Sequence, residues 1–312
     1  MQVHQGYQSF PKLSFPVVTT GTFDGVHLGH QTIIRQLTEQ ARKHQGESVV
    51  LTFNPHPRQI LQPESANGLE LLSTLEERIA QLSMLGVDHL VIIQFDLAFS
   101  QMSFLNFIKE VLVGKIHTRK LVIGYDHHFG SNREGSFESL LAHGSNYGFE
   151  VEEIPAQVIN EMAISSTKIR KALHEGHIAI ANSFLGRPYE LSGEVIAGAQ
   201  RGRTIGFPTA NIEIADKKKL IPANGVYAVE VMISNSARTI HGMLNIGTRP
   251  TVSNDGSRSI EVHLINEQVD LYGEVLRVQF HHKIRDELRF ADLEQLKQQL
   301  KRDKETVLDF FA

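Results

Sequence analysis

The chain has 312 residues, about twice the size of a common domain, which predicts two domains. The formal charge is −4, from 31 basic and 35 acidic side chains; residues 1–182 hold 14 basic and 18 acidic, and residues 183–312 hold 17 of each. Since basic residues do not outnumber acidic ones in either part, the composition counts against a protein that binds nucleic acid or anionic membranes. The absence of Cys excludes disulfide scaffolds, thiolate metal sites and cysteine nucleophiles.

The amino-terminal residues 1–15 lack the basic and apolar stretches of a secretory signal. In addition, no uncharged apolar run is long enough to cross a bilayer. We therefore expect a soluble, cytoplasmic protein with small-molecule substrates, and no nucleic-acid or membrane partner.

The first part of the chain alternates short apolar runs with amphipathic stretches. Buried parallel strands are predicted at 16–21, 48–53, 89–95 and 120–124. Helices are predicted at 29–44, 74–85 and 103–113, the second beginning with a capping box of Ser73 or Thr74 and Glu76 or Glu77. This order predicts an α/β doubly wound parallel sheet, whose ligands bind beyond the carboxyl ends of the strands.

The pattern changes near residue 185. Helical patterns at 166–175 and 178–185 are followed by strand-like runs with turn residues between them, at 190–196, 208–214, 225–233, 239–247, 259–265 and 274–280. Short strands at such spacing predict a small antiparallel β-barrel, with a C-terminal helix at 291–302. We place the domain boundary between residues 182 and 183.

The segment GTFDGVHLGHQ follows the first predicted strand. His27 and His30 are one helical turn apart, so both imidazoles can face one point near the start of a helix. Gly29 allows a close backbone approach, and a helix N-terminus favours phosphate. Two imidazoles there would stabilise charge on a phosphoryl group and its departing pyrophosphate. The alternative is two ordinary loop histidines in a chain that has 16.

HLGH after GTFD resembles the HxGH signature of the nucleotidyltransferases. Their second signal, a Ser/Thr-rich helix start, is matched by ISSTKIR at 164–170. The alternative for this heptapeptide is a simple N-cap followed by a solvated basic turn. The resemblance implies that the phosphates of ATP are bound by the following residues: Gly21, Phe23, Asp24, Gly29, Ser165, Ser166, Thr167 and Arg170.

Two further loops, FNPHPRQIL and GYDHHFGSNREG, follow the second and fourth predicted strands. They resemble the F(N/D)PHP and G-x-D-x-x-FG loops of the bacterial bifunctional flavin enzymes. The resemblance implies that Asn54 binds flavin near the triphosphate, that Asp126 is a Mg²⁺ ligand and that Phe129 flanks the isoalloxazine. Many relatives read Phe-Arg where this chain has His127 and His128, which we interpret as solvated loop residues.

The segment 193–214 combines four glycines with the run GFPTAN. Thr209 and Asn211 fall on one face of a strand, where their oxygens suit Mg²⁺. The alternative is a glycine-rich hairpin with two exposed polar residues. The segment closely resembles the riboflavin kinase signature, which implies Mg²⁺ at Thr209 and Asn211 and phosphate at a second set of residues: Gly198, Arg203 and Gly206.

Glu261 lies on the polar face of the predicted strand SIEVHLI, together with His263. Such a carboxylate could take a proton from a primary alcohol that attacks a γ-phosphate. The resemblance to riboflavin kinases implies this role for Glu261 and a contact of Arg285 with phosphate or flavin. The alternative for Glu261 is a salt bridge with Arg249 or Arg258.

The resemblance to the prokaryotic bifunctional riboflavin kinase and FAD synthetase family covers about residues 14–305. It implies phosphorylation of riboflavin by MgATP in the C-terminal domain and adenylyl transfer from a second ATP to FMN in the N-terminal domain. Two alternatives come from other classes. One is a relative of class I tRNA synthetases, which predicts a basic RNA-binding surface; the other is a flavin-binding regulator without turnover, which predicts damaged motifs.

Overall fold

We analysed the fold in a computed structural model that describes residues 1–62, 68–124, 137–155, 164–198, 202, 205–234, 238–248, 258–267 and 271–312. The chain folds as two compact units, Met1–Ser166 and Thr167–Ala312. The predicted boundary, between residues 182 and 183, lies later in the chain than this division and falls inside the helix Ile178–Leu185, which belongs to the second unit. Within the described residues, no helix is long and apolar enough to cross a membrane.

The first unit is built on a parallel sheet of six described strands in the order β1-β4-β3-β2-β5-β6. These strands are β1 (Gln2–Gln5), β2 (Pro16–Thr20), β3 (Glu47–Asn54), β4 (His89–Gln94), β5 (Lys120–Gly124) and β6 (Glu150–Ile154). The four strands predicted from apolar runs are confirmed as β2, β3, β4 and β5, the buried centre of the sheet.

Helices cover both faces of this sheet. They are α1 (Leu28–Lys43), α2 (Pro57–Leu61), α3 (Leu75–Met84), α4 (Leu97–Ser100), α5 (Phe104–Asn106), a π-helical segment (Phe107–Val113) and α6 (Phe137–Tyr147). Neighbouring strand residues point to opposite faces, so Val17 packs in one apolar cluster with Ile34 and Leu37 of α1, while Val18 packs in another with Ile108. The doubly wound sheet is therefore confirmed.

The predicted capping box is also present. The Thr74 hydroxyl accepts the N–H of Glu77 at 3.2 Å, and the Glu77 carboxylate accepts the N–H of Thr74 at 3.0 Å. This exchange begins α3 at Leu75 and satisfies two backbone donors that the helix leaves open.

The second unit contains a closed antiparallel barrel in the order β10-β11-β8-β7-β12-β9. Its described strands are β7 (Tyr189–Ile196), β8 (Ala210–Glu213), β9 (Gly225–Ile233), β10 (Thr239–Thr248), β11 (Arg258–Leu264) and β12 (Val275–Arg285). All six confirm predicted runs. Closure pairs the edges of every strand, which removes the exposed edges of an open sheet.

The remaining helices are α7 (Ser166–His174), α8 (Ile178–Leu185) and α9 (Leu293–Phe311). Of these, α8 and α9 pack on this barrel. The Asn182 amide of α8 donates to the carbonyl of Phe280 and accepts the N–H of Tyr189, both at 2.8 Å. The last helix runs nine residues beyond its predicted end because Val307 continues its buried face.

Candidate active sites

The loop after β2 has an unusual backbone. Phe23 and Val26 have φ of 48° and 38°, and Gly25 between them has φ of 79°. Left-handed backbone is rare for residues with a side chain, and most of all for a β-branched residue such as Val26. Such conformations persist only where the surrounding structure imposes them, and they cluster at functional sites. The loop is therefore a candidate for chemistry on backbone grounds alone.

Asp24 anchors this loop from inside. Its carboxylate is fully buried and accepts the N–H groups of Leu72 and Ser73 at 3.0 Å. The Ser73 hydroxyl donates to Asp24 at 3.3 Å and accepts the N–H of Gly25 at 3.0 Å. Asp24, which the resemblance assigned to ATP binding, thus fastens the loop to the segment that precedes α3.

The two histidines of the HLGH motif meet at the start of α1. His27 is the N-cap residue, and its Nδ1 accepts the N–H of His30 at 3.3 Å, so the ring proton lies on Nε2. The two rings stack with centroids 3.7 Å apart, and the Phe23 ring packs edge-on against His30 at 5.2 Å. The structure thus brings together both imidazoles and the positive end of a 16-residue helix.

The Ser/Thr-rich motif reaches the same loop. The Ser166 hydroxyl donates to the backbone carbonyl of Asp24 at 3.1 Å, across 142 residues of sequence. Ser166 is the first residue of α7, and Thr167 and Arg170 follow it in the first turns of that helix. The Ser/Thr-rich motif therefore meets the histidine loop through Ser166, the last residue of the first unit.

A cavity of about 770 Å³ lies beyond the carboxyl ends of β3 and β4. Its wall includes Asn54 at the end of β3 and Gln94 at the end of β4, together with Tyr7, Phe99 and Met102. This volume and this mixture of aromatic, thioether and amide groups are typical of sites for mid-sized organic ligands. Since β3 is the neighbour of β2, Asn54 lies one strand away from the histidine loop.

The second site lies on two paired barrel strands. Glu261 of β11 stands opposite Asn211 of β8 in the strand register, and the Thr209 hydroxyl donates to the Glu261 carboxylate at 3.3 Å. Asn211 is 9% exposed, whereas Glu261 is half-buried and Thr209 is exposed. A hydroxyl, an amide and a carboxylate therefore gather at one place on the barrel. Arg258, offered as the alternative partner, donates to the Asn224 side chain at 3.0 Å and to the carbonyl of Ile221.

The glycine-rich segment packs directly on this group. A Cβ added at Gly198 would lie 2.0 Å from Nδ2 and 2.6 Å from Cγ of Asn211. Gly206 has φ of 84°, a conformation that favours glycine. The backbone at Gly198 therefore lies against the side chain of Asn211, which no larger residue would allow.

We expect Gly198→Ala to impair the barrel site. The new methyl group overlaps the amide of Asn211, which has to move away from the position opposite Glu261. A displacement of about 1 Å at a site of this kind costs up to about 10²-fold in rate. Steady-state rates of the riboflavin phosphorylation that the resemblance implies would show the loss, while any activity of the first unit in the same chain should stay unchanged. An unaltered phosphorylation rate would contradict the packing.

His263 lies two residues after Glu261 on β11 and contacts the segment that leads into β8. Its Nδ1 lies 2.8 Å from the carbonyl of Pro208, the residue before Thr209, so Nδ1 carries the proton and donates. The ring is 7% exposed and meets Phe207 edge-on at 5.2 Å. Burial lowers the pKa of His263, and the nearby charge of Lys304 lowers it further, although the bond to Pro208 opposes both.

This lowered pKa predicts a pH dependence of stability. Between the folded pKa and the ordinary value near 6.5, the unfolded chain binds more protons at His263, so the free energy of unfolding falls as the pH drops through about 6.5. His263→Asn keeps an N–H donor near Pro208 and does not titrate. Thermal unfolding of both proteins at about pH 7.5 and 5 should show that the wild type loses more stability than the variant. Equal losses would contradict the prediction.

Arg285, predicted to contact phosphate or flavin, forms an ion pair within the second unit. The guanidinium of Arg285 pairs with the buried carboxylate of Asp303 through Nε at 3.0 Å and Nη2 at 2.7 Å, and its Nη1 donates to the carbonyl of Asp286. Arg285 therefore joins β12 to α9. A further group falls outside the described residues: Asp126, His127, His128, Phe129, Arg203 and Arg249.

Some residues that hold the first site in place carry no signal of that role in the sequence. Ser73 entered only as a possible helix cap, and its contact with Gly25 gave no sequence signal. Arg78 of α3 is not part of any predicted motif, although it is buried and donates to Thr52 at 3.2 Å. These contacts join segments that are far apart in the chain, so no local pattern shows them.

Comparison with protein families places both sites in a known context. The family model described as FAD synthetase matches residues 11–168, and the model described as riboflavin kinase matches residues 185–311. The chain thus has a flavin nucleotidyltransferase module followed by a flavin kinase module. It belongs to the family of bifunctional riboflavin kinase/FMN adenylyltransferases.

Full-length relatives agree with this membership. The bifunctional riboflavin kinase/FMN adenylyltransferase of Escherichia coli (strain K12) is 40% identical over 95% of this chain and 93% of its own length. The protein of the same description from Haemophilus influenzae is 40% identical over 94% of both chains. A crystal structure described as a macrolide-efflux protein from Streptococcus pneumoniae has a TM-score of 0.88 and 33% identity, covering 98% of each chain. The family membership favours the flavin enzymes over a tRNA synthetase relative.

Proposed function

We propose that this chain makes FAD from riboflavin in two ATP-dependent steps that occur in different units. The barrel transfers the γ-phosphoryl group of ATP to riboflavin, which gives FMN and ADP. The sheet unit then transfers the adenylyl group of a second ATP to FMN, which gives FAD and pyrophosphate. The observation that carries the proposal is the presence of two separate polar sites, each within the residues matched by one family model.

In the adenylyl transfer, a phosphate oxygen of FMN attacks the α-phosphorus of ATP and the bond to the β-phosphate oxygen breaks. Negative charge therefore grows on the departing pyrophosphate. The stacking of His27 and His30 at the positive end of α1 supports a role for both in stabilising that charge. Ser165 of the Ser/Thr-rich motif offers a hydroxyl and a backbone N–H as further donors to phosphate oxygens.

A cavity one strand away from this loop suits the flavin. Its volume of about 770 Å³ falls in the range of sites for organic cofactors, and Asn54 in its wall offers an amide that can pair with ring heteroatoms. Because β2 and β3 are neighbours, a flavin bound against Asn54 would lie one strand away from the histidine loop, at the same edge of the sheet. We assign Asn54 to flavin binding on this basis.

In the phosphorylation step, the primary hydroxyl of the ribityl chain attacks the γ-phosphorus, and ADP leaves. We assign to Glu261 the role of accepting the hydroxyl proton, which its half-buried carboxylate beside the Thr209 hydroxyl supports. Thr209 and Asn211 lie beside it and can orient the triphosphate. No covalent enzyme intermediate is required, since positioning and charge stabilisation suffice.

The barrel site also fits Mg²⁺. The Thr209 hydroxyl and the Asn211 carbonyl are hard oxygen donors, and Mg²⁺ in kinases takes few protein ligands because substrate phosphates and water supply the rest. Among the described residues, no cluster of three or more His, Asp or Glu side chains could hold a metal ion. When bound at Thr209 and Asn211, Mg²⁺ would neutralise charge on the phosphates.

The purified protein tests the proposal directly. Incubation with riboflavin, ATP and Mg²⁺, followed by chromatography that separates the three flavins, should show FMN rising first and FAD later. A flavin-binding regulator would bind the flavin and leave it unchanged. The absence of both products from a folded, flavin-binding protein would therefore reject the enzyme in favour of the regulator.

A further inference from the structure

Arg78 is a buried cation next to the first site. Its side chain is 1% exposed and lies on the first turn of α3. Nη1 donates to the hydroxyl of Thr52 at 3.2 Å and to the carbonyl of Phe53 at 3.3 Å, while Nε has no hydrogen-bond acceptor among the described residues. Burial lowers the pKa of Arg78, and the charges of Asp24 and Glu76 oppose that shift.

Such an arrangement contributes little to stability. A buried charge costs desolvation energy, and one with an unsatisfied donor recovers only part of it, so an apolar residue of similar volume would often serve the fold as well. An incompletely paired buried group therefore calls for another explanation, of which positioning at a functional site is one.

The contacts of Arg78 lead to the histidine loop. The Thr52 hydroxyl, which accepts from Arg78, donates to the carbonyl of Thr22 at 3.2 Å. Thr22 immediately precedes Phe23, the first residue of the loop with left-handed backbone. The Phe53 carbonyl, the second acceptor of Arg78, lies next to Asn54 in the cavity wall. One guanidinium thus supports the ends of both β2 and β3, where the two halves of the proposed site begin.

We infer that Arg78 is a positioning residue for adenylyl transfer, which it serves by fixing Thr22 through Thr52 and the end of β3 through Phe53. It does not touch the reacting atoms. Its effect is to hold the strained loop before His27 and the flavin-side backbone at Asn54 in one fixed relation. The inference rests on the proposed adenylyl transfer and adds a residue to it.

The test compares Arg78→Met with Arg78→Lys and with Thr52→Val in the full-length protein. Arg78→Met keeps the length of the side chain and removes the donors, so kcat for FAD formation from FMN should fall by about 10²-fold, with a smaller change in KM. Arg78→Lys, which restores one donor, should recover most of the loss. Thr52→Val keeps the shape of Thr52 and should lower kcat in the same direction by a smaller factor.

Two controls separate positioning from folding. FMN formation by the barrel of the same chains should be unchanged, and Arg42→Met, which removes an exposed cation at the far end of α1, should leave both activities at the wild-type level. Unchanged kcat per folded molecule in Arg78→Met, or a Lys variant as impaired as the Met variant, would overturn the inference.

If Arg78→Met does not fold, Thr52→Val decides: wild-type kcat in that variant would also overturn the inference. A wild-type protein that makes no FAD would instead count against the proposed function. The two failures are therefore distinguishable.

Discussion

Glu261→Gln is expected to abolish FMN formation and to leave adenylylation of added FMN intact. The amide cannot accept a proton, yet it has the shape of the carboxylate and can still accept the Thr209 hydroxyl bond. Loss of a general base lowers the rate by about 10² to 10⁴-fold. The measurement is the initial rate of FMN formation from riboflavin, with the rate of FAD formation from FMN in the same preparation as the internal standard.

The variant also decides between two roles for the carboxylate. If Glu261 only shapes the strand, the isosteric amide should restore most of the activity, and the phosphorylation rate of the folded variant would stay near the wild-type value. That outcome, or an equal loss of both activities, would contradict the proton-acceptor role.

His30→Ala should have the opposite effect. The substitution removes one imidazole of the stacked pair at the start of α1 and keeps the backbone N–H that His27 accepts. Removal of one donor to a developing anion costs about 10² to 10³-fold in rate. FAD formation from FMN should fall by that factor, while FMN formation from riboflavin continues.

The Phe23 ring packs against His30, so a control for lost packing is needed. His30→Phe keeps a ring in contact with Phe23 and offers no donor, and we expect it to be as inactive in adenylyl transfer as His30→Ala. A His30→Phe variant with wild-type FAD formation would contradict a role for the imidazole in stabilising charge.

The central strands of both units could be predicted because their physical signal is local. Strands β2 to β5 are covered on both faces, so their sequences are continuous apolar runs, and the barrel strands are short runs between turn residues. The edge strand β1 was missed because its sequence, QVHQ, is polar and mostly exposed, and its pairing with β4 depends on backbone groups. The edge strand β6 was not predicted for a similar reason, since only its residue Ile154 is fully buried.

In the two sites, too, only the features with a local sequence signal could be predicted. His27, His30, Thr209 and Glu261 could be singled out because each belongs to a motif with a chemical rationale at short spacing. The contacts that position them could not. Asp24 holds Leu72 from 48 positions away, and the bond between Ser166 and Asp24 spans 142 positions, distances at which only the folded structure shows the contact. Arg78 shows the same limit, because a cation in an amphipathic helix is typical of a solvent-exposed face.

The central claim is that one chain cleaves ATP at two different bonds in two different sites. ATP labelled in the γ-phosphate and ATP labelled in the α-phosphate, each incubated with riboflavin and the protein, test it most directly. We predict that the γ-label appears in FMN and then in FAD, and that the α-label appears in FAD and never in FMN. An α-label in FMN, or FAD that forms from riboflavin without γ-label, would contradict the account.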